Sequence, residues 1–425
     1  MFVTTVGNFL RLFEWNDVEI LQKMNYEVHY AADFTQLDKE TNKMYQKKNI
    51  VLHPLPIRRS PLQFKGNITA FLQLRRLIRE ERFDLLHCHT PMGGMLGRLA
   101  AAVQRKKPFV LYTAHGFHFY RGAPFYCWLL YFPAEYLLAK KTDCLIVVNE
   151  EDYRRALHFP LRNGGRTERI PGVGLSTEKL KCRQEQRAEL RAKHGIPEEC
   201  FYILTAGELN RNKNQQVLIR AAAMLRQKQI CLGICGKGAL RESLERLAEE
   251  LGVAGQVRFL GYRNDLQELL TAADAFAFPS VREGFALAPL EALAAGLPLV
   301  TSERRDSREY IRHRENGLVC KRNAPEEYAE AFLLLMENPG LCRRLSEEGR
   351  RTAGQFALDK TARIMERVYK CEGAESWKEK RFPAFYRSRI AGRACGMRGC
   401  RHVKRRDKPH EGKEAAGNQC YYGRL

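Results

Sequence analysis

The sequence predicts an α/β protein of two doubly wound domains facing each other across a cleft. Three observations predict it. Short apolar runs alternate with longer amphipathic ones from the first residue; the alternation restarts at Tyr202; and the stretch between, Ile170–Lys193, is rich in Gly, Pro, Ser and charge. Strands separated by helical spans build βαβ units and a parallel sheet. Open sheets of that kind bind ligands beyond the carboxyl ends of their strands, so two facing edges make a two-substrate site.

The elements follow in order. Met1–Val6 is predicted as a buried strand, 13–24 as a helix, 26–32 as a strand and 68–82 as a helix with a basic outer face. Next come strand 84–88, helix 93–104, and strands 109–113 and 144–148. The second series predicts strands at 202–206, 230–234, 257–260, 275–278 and 299–301, with helices at 215–227, 240–251, 264–272 and 286–295 between them. The domains therefore read as 1–172 and 194–355, joined by a linker at 173–193. An amphipathic helix at 356–371 is expected to pack back towards the first domain, followed by a basic tail, 372–425, expected to be disordered.

Composition limits the function. Of 425 residues, 71 are Lys or Arg and 49 Asp or Glu, a net charge of +22. Residues 376–425 hold 14 of the basic and 4 of the acidic residues. Such an excess favours an anionic partner: nucleic acid, acidic lipid or a phosphorylated ligand. The 13 cysteines include no C-x-x-C, and Cys395 and Cys400 have no second pair to complete a zinc site. Reduced thiols in a cytoplasmic setting are expected. No secretory signal is read at Met1. The most apolar stretch, 125–138, is interrupted by Pro133 and Glu135 and is too short to span a bilayer, which leaves attachment to a membrane surface open.

The sharpest motif is Arg282–Gly296, with Glu283 and Glu291 eight residues apart after the strand at 275–278. On one continuous helix they would lie roughly 80° apart, so a shared helical face does not explain the spacing. Glu283 in the loop and Glu291 within the helix would instead reach one ligand. Gly284 allows close backbone approach, and the helix N-terminus offers N–H groups to a phosphate. The plainer alternative is a helix start with an exposed mid-helix Glu.

This segment resembles the E-x7-E signature of retaining nucleotide-sugar glycosyltransferases of the GT-B fold, two Rossmann-like domains. The flanks, Ala-Phe-Pro-Ser-x-x-Glu-Gly-Phe at 277–285 and Glu-Ala-Leu-Ala-Ala-Gly-Leu-Pro at 291–298, resemble that family too. The resemblance implies that Glu283 contacts the donor sugar, that Glu291 binds the ribose hydroxyls, and that the backbone N–H groups of Phe285, Ala286 and Leu287 after Gly284 meet the diphosphate. It extends to Gly207–Asn214, where Lys213 matches the family lysine that neutralises the leaving diphosphate. Glu208 stands where an Arg is usual, with Arg211 close enough in sequence to substitute. It implies a donor-sugar contact for His115 in Leu111–Phe119, and an acceptor or loop-orienting role for His118. His87 and His89 are read as facing opposite sides of their strand, against joint metal binding, with His89 bordering the cleft. Gly7 and Asn8 match an acceptor-side loop. Tyr262, in Gly261–Arg263, stands where family members stack or hydrogen-bond the nucleotide base. The Cys235–Gly238 turn, the loop 301–309 and the Asn316–Leu318 turn are family-like as well.

The resemblance runs from about Phe2 to Lys370 and is nearest to bacterial capsular and exopolysaccharide enzymes. It implies a metal-independent hexosyltransferase, with no cofactor beyond its nucleoside-diphosphate-sugar donor, a UDP-sugar. The implied acceptor is a glycan or a polyprenyl-diphosphate-linked sugar at the inner face of the membrane, with no specific nucleic-acid partner. No D-x-D motif suggests a metal clamp. Arg75, Arg76, Arg79 and Arg82 and the aromatic run 117–136 suit an anionic lipid surface. Other readings are a GT-B-shaped nucleotide-sugar epimerase, a basic nucleic-acid-binding protein, or a scaffold without activity.

Overall fold

The computed structural model describes residues 1–162, 164–180 and 184–370. The basic tail and the Cys395/Cys400 pair lie outside the described residues.

Two parallel sheets organise the chain. The first contains β1 (Phe2–Val6), β2 (His29–Asp33), β3 (Val51–Pro54), β4 (Leu85–His89), β5 (Phe109–Ala114), β6 (Cys144–Val147) and β7 (Arg166–Arg169), in the order β3-β2-β1-β4-β5-β6-β7. The second contains β8 (Phe201–Ala206), β9 (Ile230–Cys235), β10 (Val257–Gly261), β11 (Ala275–Phe278), β12 (Leu299–Ser302) and β13 (Leu318–Cys320), in the order β10-β9-β8-β11-β12-β13. Strand order reverses between β1 and β4 in the first sheet and between β8 and β11 in the second. Loops leaving neighbouring strands in opposite directions open a crevice at each reversal. The central strands read as continuous apolar runs because both faces are covered: β9 (ICLGIC) and β11 (AFAF) are buried throughout.

Both domains are two-faced cores. In the second, Val217, Leu218, Ile219 and Leu244 cover one face, and Leu269, Leu290 and Leu293 cover the other. The expected helix 13–24 is observed as Trp15–Lys23, preceded across Glu14 by a short helix, Phe9–Phe13, that was not expected. Arg187–Lys193, expected within the linker, is a helix of the second domain. Its Arg191 is buried and bonds Ala272 O at 3.0 Å and Asp274 at 2.5 Å.

The run Phe125–Ala139 is a helix despite Pro133. Its inner side is fixed by Glu135, which pairs with the buried Arg98 at 2.8 Å and accepts a hydrogen bond from Tyr112 at 3.1 Å. Its outer side leaves Phe125 79 % exposed and Leu129 and Leu130 each 62 % exposed. Helix Phe64–Glu81 likewise exposes Phe64, Ile68 and Leu72.

The chain crosses between domains twice, and the crossings are joined. Leu175 N–H donates to Phe356 O, and Leu358 N–H donates to Leu175 O, both at 2.9 Å. The second crossing delivers the last described helix, Leu358–Lys370, onto the first domain. There Met365, Val368 and Tyr369 pack with Phe2, Leu10 and Val18.

Candidate active site

The second-domain wall is built at its strand reversal. After β8, Gly207 and Glu208 lead to Lys213, whose N–H is held by Asn210 Oδ1 at 2.9 Å. After β11, Ser280 leads to Glu283. Lys213 Nζ bonds Glu283 Oε1 at 2.6 Å, and Ser280 Oγ donates to the same oxygen. The ammonium also sits 4.9 Å from the centre of the Phe278 ring. Gly236 and Gly207 are in such close backbone contact that a methyl on Gly236 would collide with Gly207 O. Glu291, on helix Leu287–Ala295, is 1 % exposed. The first N–H groups of that helix have no intrahelical acceptor. All these features surround one cavity of about 260 Å³, lined by Gly207, Glu208, Lys213, Gly236, Tyr262, Arg263, Glu283, Phe285, Ala286, Leu287 and Glu291. Leu12 and Phe13 close it from the first domain.

The first-domain wall gathers histidines at the ends of β4 and β5. His87 and His89 share a face, their rings 4.0 Å apart, which corrects the expectation of opposite faces: residues two apart on a strand point the same way. His89 is fully buried behind His115 and does not border the cleft as expected. His89 Nδ1 and His115 Nε2 are 3.2 Å apart, and Glu14 Oε1 is 3.4 Å from each. Burial lowers the pKa of His115 to about 4 and holds His87 and His89 well below the usual imidazole range, so all three are neutral at pH 7. Burial, with Asp17 adjacent, raises the Glu14 carboxyl well above its ordinary value. His87 bonds Thr113 Oγ1 and Tyr369 OH, each at 2.8 Å. The residue after His89, Thr90, has φ 61°, an unusual backbone for a β-branched side chain. Its hydroxyl is held by Thr5 Oγ1 at 2.7 Å.

The walls meet at two glycines. A methyl on Gly284 would strike His115 O, and one on Gly116 would strike Gly284 Cα. Arg305 fastens the contact: it bonds Asp152 at 3.1 Å and Phe117 O at 3.3 Å in the first domain, and Glu283 O at 3.4 Å in its own. His115 and Glu283 are thereby neighbours across the cleft. Beyond Glu283 a wider cleft of about 1100 Å³ opens, lined by arginines that include Arg121, Arg154, Arg282 and Arg308 and by Glu150, Glu151, Glu303 and Glu309, with Arg154 paired to Glu150 and Arg308 to Glu303.

Other predicted residues fall elsewhere. Arg211 is exposed and does not line the 260 Å³ cavity. The cation that does line it beside Glu208 and Lys213 is Arg263, which pairs with Asp265. Gly7 is buried against Phe34, with its carbonyl held by Tyr45 OH at 2.7 Å, and Asn8 precedes helix Phe9–Phe13. Neither lines these two cavities. His118 stacks on Tyr131 with ring centres 4.6 Å apart. The sequence reading missed Glu14, Asp17 and Tyr369, because their partners lie far away along the chain. Among the described residues, donor atoms close enough to share a metal ion occur in Glu14–His89–His115 and in His194–Asp265–Glu268. The latter is already engaged by Lys193 and Arg263.

Residues 18–172 match the family model Glycosyltransferase Family 4, and residues 186–352 match Glycosyl transferases group 1. The chain is 40 % identical over 384 residues to EpsD of Bacillus subtilis (strain 168), named as a glycosyltransferase, covering 89 % of this chain and 98 % of EpsD. It is 27 % identical over 278 residues to the UDP-Gal:alpha-D-GlcNAc-diphosphoundecaprenol alpha-1,3-galactosyltransferase of Escherichia coli, covering 64 % and 71 % of the two chains. Among solved structures, HepE of Anabaena in complex with UDP and glucose superimposes with a TM-score of 0.72 at 18 % identity, over 87 % of this chain and 98 % of that one. The lipopolysaccharide glycosyltransferase WaaG superimposes with a TM-score of 0.66 at 20 % identity, over 86 % and 97 %. At these identities the structural likeness speaks for the fold.

Proposed function

The chain belongs to the GT-B glycosyltransferases, in the branch that includes exopolysaccharide enzymes, and from this premise we propose that it transfers a sugar from a UDP-sugar, with retention and without a metal, to a polyprenyl-diphosphate-linked or glycan acceptor. The observation that carries the donor side is the cavity in which Lys213, Arg263, Glu283, Glu291 and a helix N-terminus converge. Negative charge grows on the diphosphate as the glycosidic bond breaks. Lys213, Arg263 and the N–H groups of Phe285, Ala286 and Leu287 are fixed donors for that charge, and fixed donors need no reorganisation during reaction. Glu291, at the back of the cavity, accepts from the ribose hydroxyls. Glu283, steadied by Lys213 and Ser280, and His115 hold the sugar between the walls. The proton of the acceptor hydroxyl leaves with the diphosphate oxygen. UDP and glucose bound to HepE, and the lipid-linked acceptor in the name of the Escherichia coli relative, support this choice of substrates.

The acceptor enters by the arginine-lined cleft. That cleft opens beside Tyr120–Gly122, just before helix Phe125–Ala139 with its exposed apolar face. An anionic diphosphate suits Arg121 and Arg282, which stand among the cleft's arginine–glutamate pairs, and a lipid chain or membrane surface suits the helix. Among the described residues no helix is long and apolar enough to cross a membrane.

The test is a panel of UDP-sugars with and without polyprenyl-diphosphate sugars, in EDTA, read by mass spectrometry. Transfer that survives EDTA and is abolished by Glu291→Ala and by His115→Ala is the expected result. Donor epimerisation without acceptor would move the protein to the epimerase reading. Failure to bind any nucleotide sugar would overturn the proposal.

A further inference from the structure

Glu14 is 6 % exposed and His89 is fully buried, yet neither has a role in the mechanism above. Among the described residues, Glu14 Oε1 and His89 Nε2 have no hydrogen-bond partner. His89 Nε2 lies in an aromatic pocket, with the Phe2 and Phe9 rings 5.9 and 5.5 Å from the imidazole. A neutral imidazole carries one N–H and one bare nitrogen. A buried donor without an acceptor is the rarer arrangement in proteins, so the proton of His89 belongs on Nδ1. From there it points at His115 Nε2, 3.2 Å away, and at Glu14 Oε1, 3.4 Å away. His115 Nε2 is then the acceptor, and the proton of His115 sits on Nδ1. The His115 side chain is 26 % exposed, and its Nδ1 has no partner among the described residues.

We propose that Glu14, together with His89, is a positioning residue that fixes the tautomer and orientation of His115, so that His115 presents an Nδ1–H donor to the sugar in the cleft. This rests on the donor-sugar role given to His115 above. Glu14 does it as a neutral acid. It shares a hydrogen bond with Asp17, and its carbonyl oxygen stands beside the Nδ1–H of His89, holding the proton on the nitrogen that faces His115. Asp17 in turn accepts from Tyr369 OH at 2.7 Å, so the last described helix anchors the chain Tyr369–Asp17–Glu14 that ends at the cleft.

The test compares Glu14→Ala with Glu14→Gln. The amide of a glutamine reproduces the neutral acid, with N–H to Asp17 and C=O beside the Nδ1–H of His89. Glu14→Ala should lower kcat by on the order of 10²-fold with the donor KM little changed, because the reacting geometry loosens while the donor cavity does not. Glu14→Gln should restore kcat to within about tenfold of wild type. Combining Glu14→Ala with His115→Ala should cost no more than His115→Ala alone, since the first acts through the second. In protein carrying 15N-histidine, the His115 Nε2 resonance should be that of an unprotonated nitrogen in wild type and Glu14→Gln, and should shift towards a tautomer mixture in Glu14→Ala. An equal kcat loss in the Gln and Ala variants, additive losses in the double variant, or a protonated His115 Nε2 in wild type would overturn the proposal. So would one equivalent of bound zinc that is lost in Glu14→Ala, since the three groups would then be metal ligands. If His115→Ala leaves transfer intact, the donor-sugar role of His115 fails, and the 15N spectra alone decide for or against Glu14.

Discussion

On the second-domain wall of the cleft, Lys213 and Glu283 form an ion pair whose side chains keep 20 % and 15 % of their exposure. On the first-domain wall, His87, His89 and His115 are neutral and packed with two carboxyl groups and aromatic rings. One wall keeps its charges at the edge of a cavity, where they can face an anionic ligand. The other keeps its three imidazoles neutral and presents directed hydrogen bonds. A reaction that builds charge on one side of a bond and must orient an uncharged sugar on the other needs both kinds of wall.

The comparison breaks most visibly at Lys213. Lys213→Ala leaves Glu283 without its counter-ion and, in the proposed reaction, removes one of the two cations that face the leaving diphosphate. Steady-state transfer should show kcat reduced by about 10²–10³-fold, the usual cost of one electrostatic contact to developing charge. A loss below tenfold would assign that task to Arg263.

The neutral wall is tested by pH. His115 titrates near 4 in the folded protein, against an ordinary value of 6.5. Between those values the unfolded chain binds more protons, so stability falls as pH drops from about 6.5 to 4. Asp17, raised by burial to about 6, has the opposite sign: between about 4 and 6 the folded protein binds the extra proton, which offsets part of the loss. Urea unfolding of His115→Gln should therefore depend on pH less steeply than wild type, by about one proton or ~1.4 kcal/mol per pH unit in that window. An unchanged slope would mean that His115 is not held neutral.

The smallest effect concerns the outer helix. Phe125→Ser with Leu129→Ser removes exposed apolar area and no internal contact of the core, so the thermal midpoint should hold. Co-sedimentation with vesicles containing anionic lipid should fall by about tenfold or more, at roughly 25 cal/mol per Å² of area withdrawn from the membrane. Unchanged binding would place any lipid contact elsewhere.

Much of this was legible in the residues. Strands such as Phe201–Ala206 and Ala275–Phe278 are apolar on both faces, and nothing else in the chain competes for that reading. The Glu283–Glu291 segment carries its chemistry within a dozen residues, so its shared cavity could be foreseen. Arg263 was harder to assign: Arg211 is nearer to Lys213 in sequence, but the loop after β10 brings Arg263 to the cavity instead. The Glu14 cluster was out of reach. Its members come from helices at opposite ends of the chain and from two strand ends, and Glu14 and Asp17 taken alone look like ordinary polar residues of a surface helix. The shared face of His87 and His89 was within reach of the two-residue strand period and was misjudged.

The two backbone hydrogen bonds that Leu175 makes with Phe356 and Leu358 have a mechanical consequence. Any rotation of the domains that leaves them intact must turn about them, as a door turns about its pin. Phe285 sits close to that axis, against Gly172 and with its ring 5.6 Å from Phe356. Displacement in such a rotation grows with distance from the axis, so the part of the 260 Å³ cavity lined by Phe285 would move least.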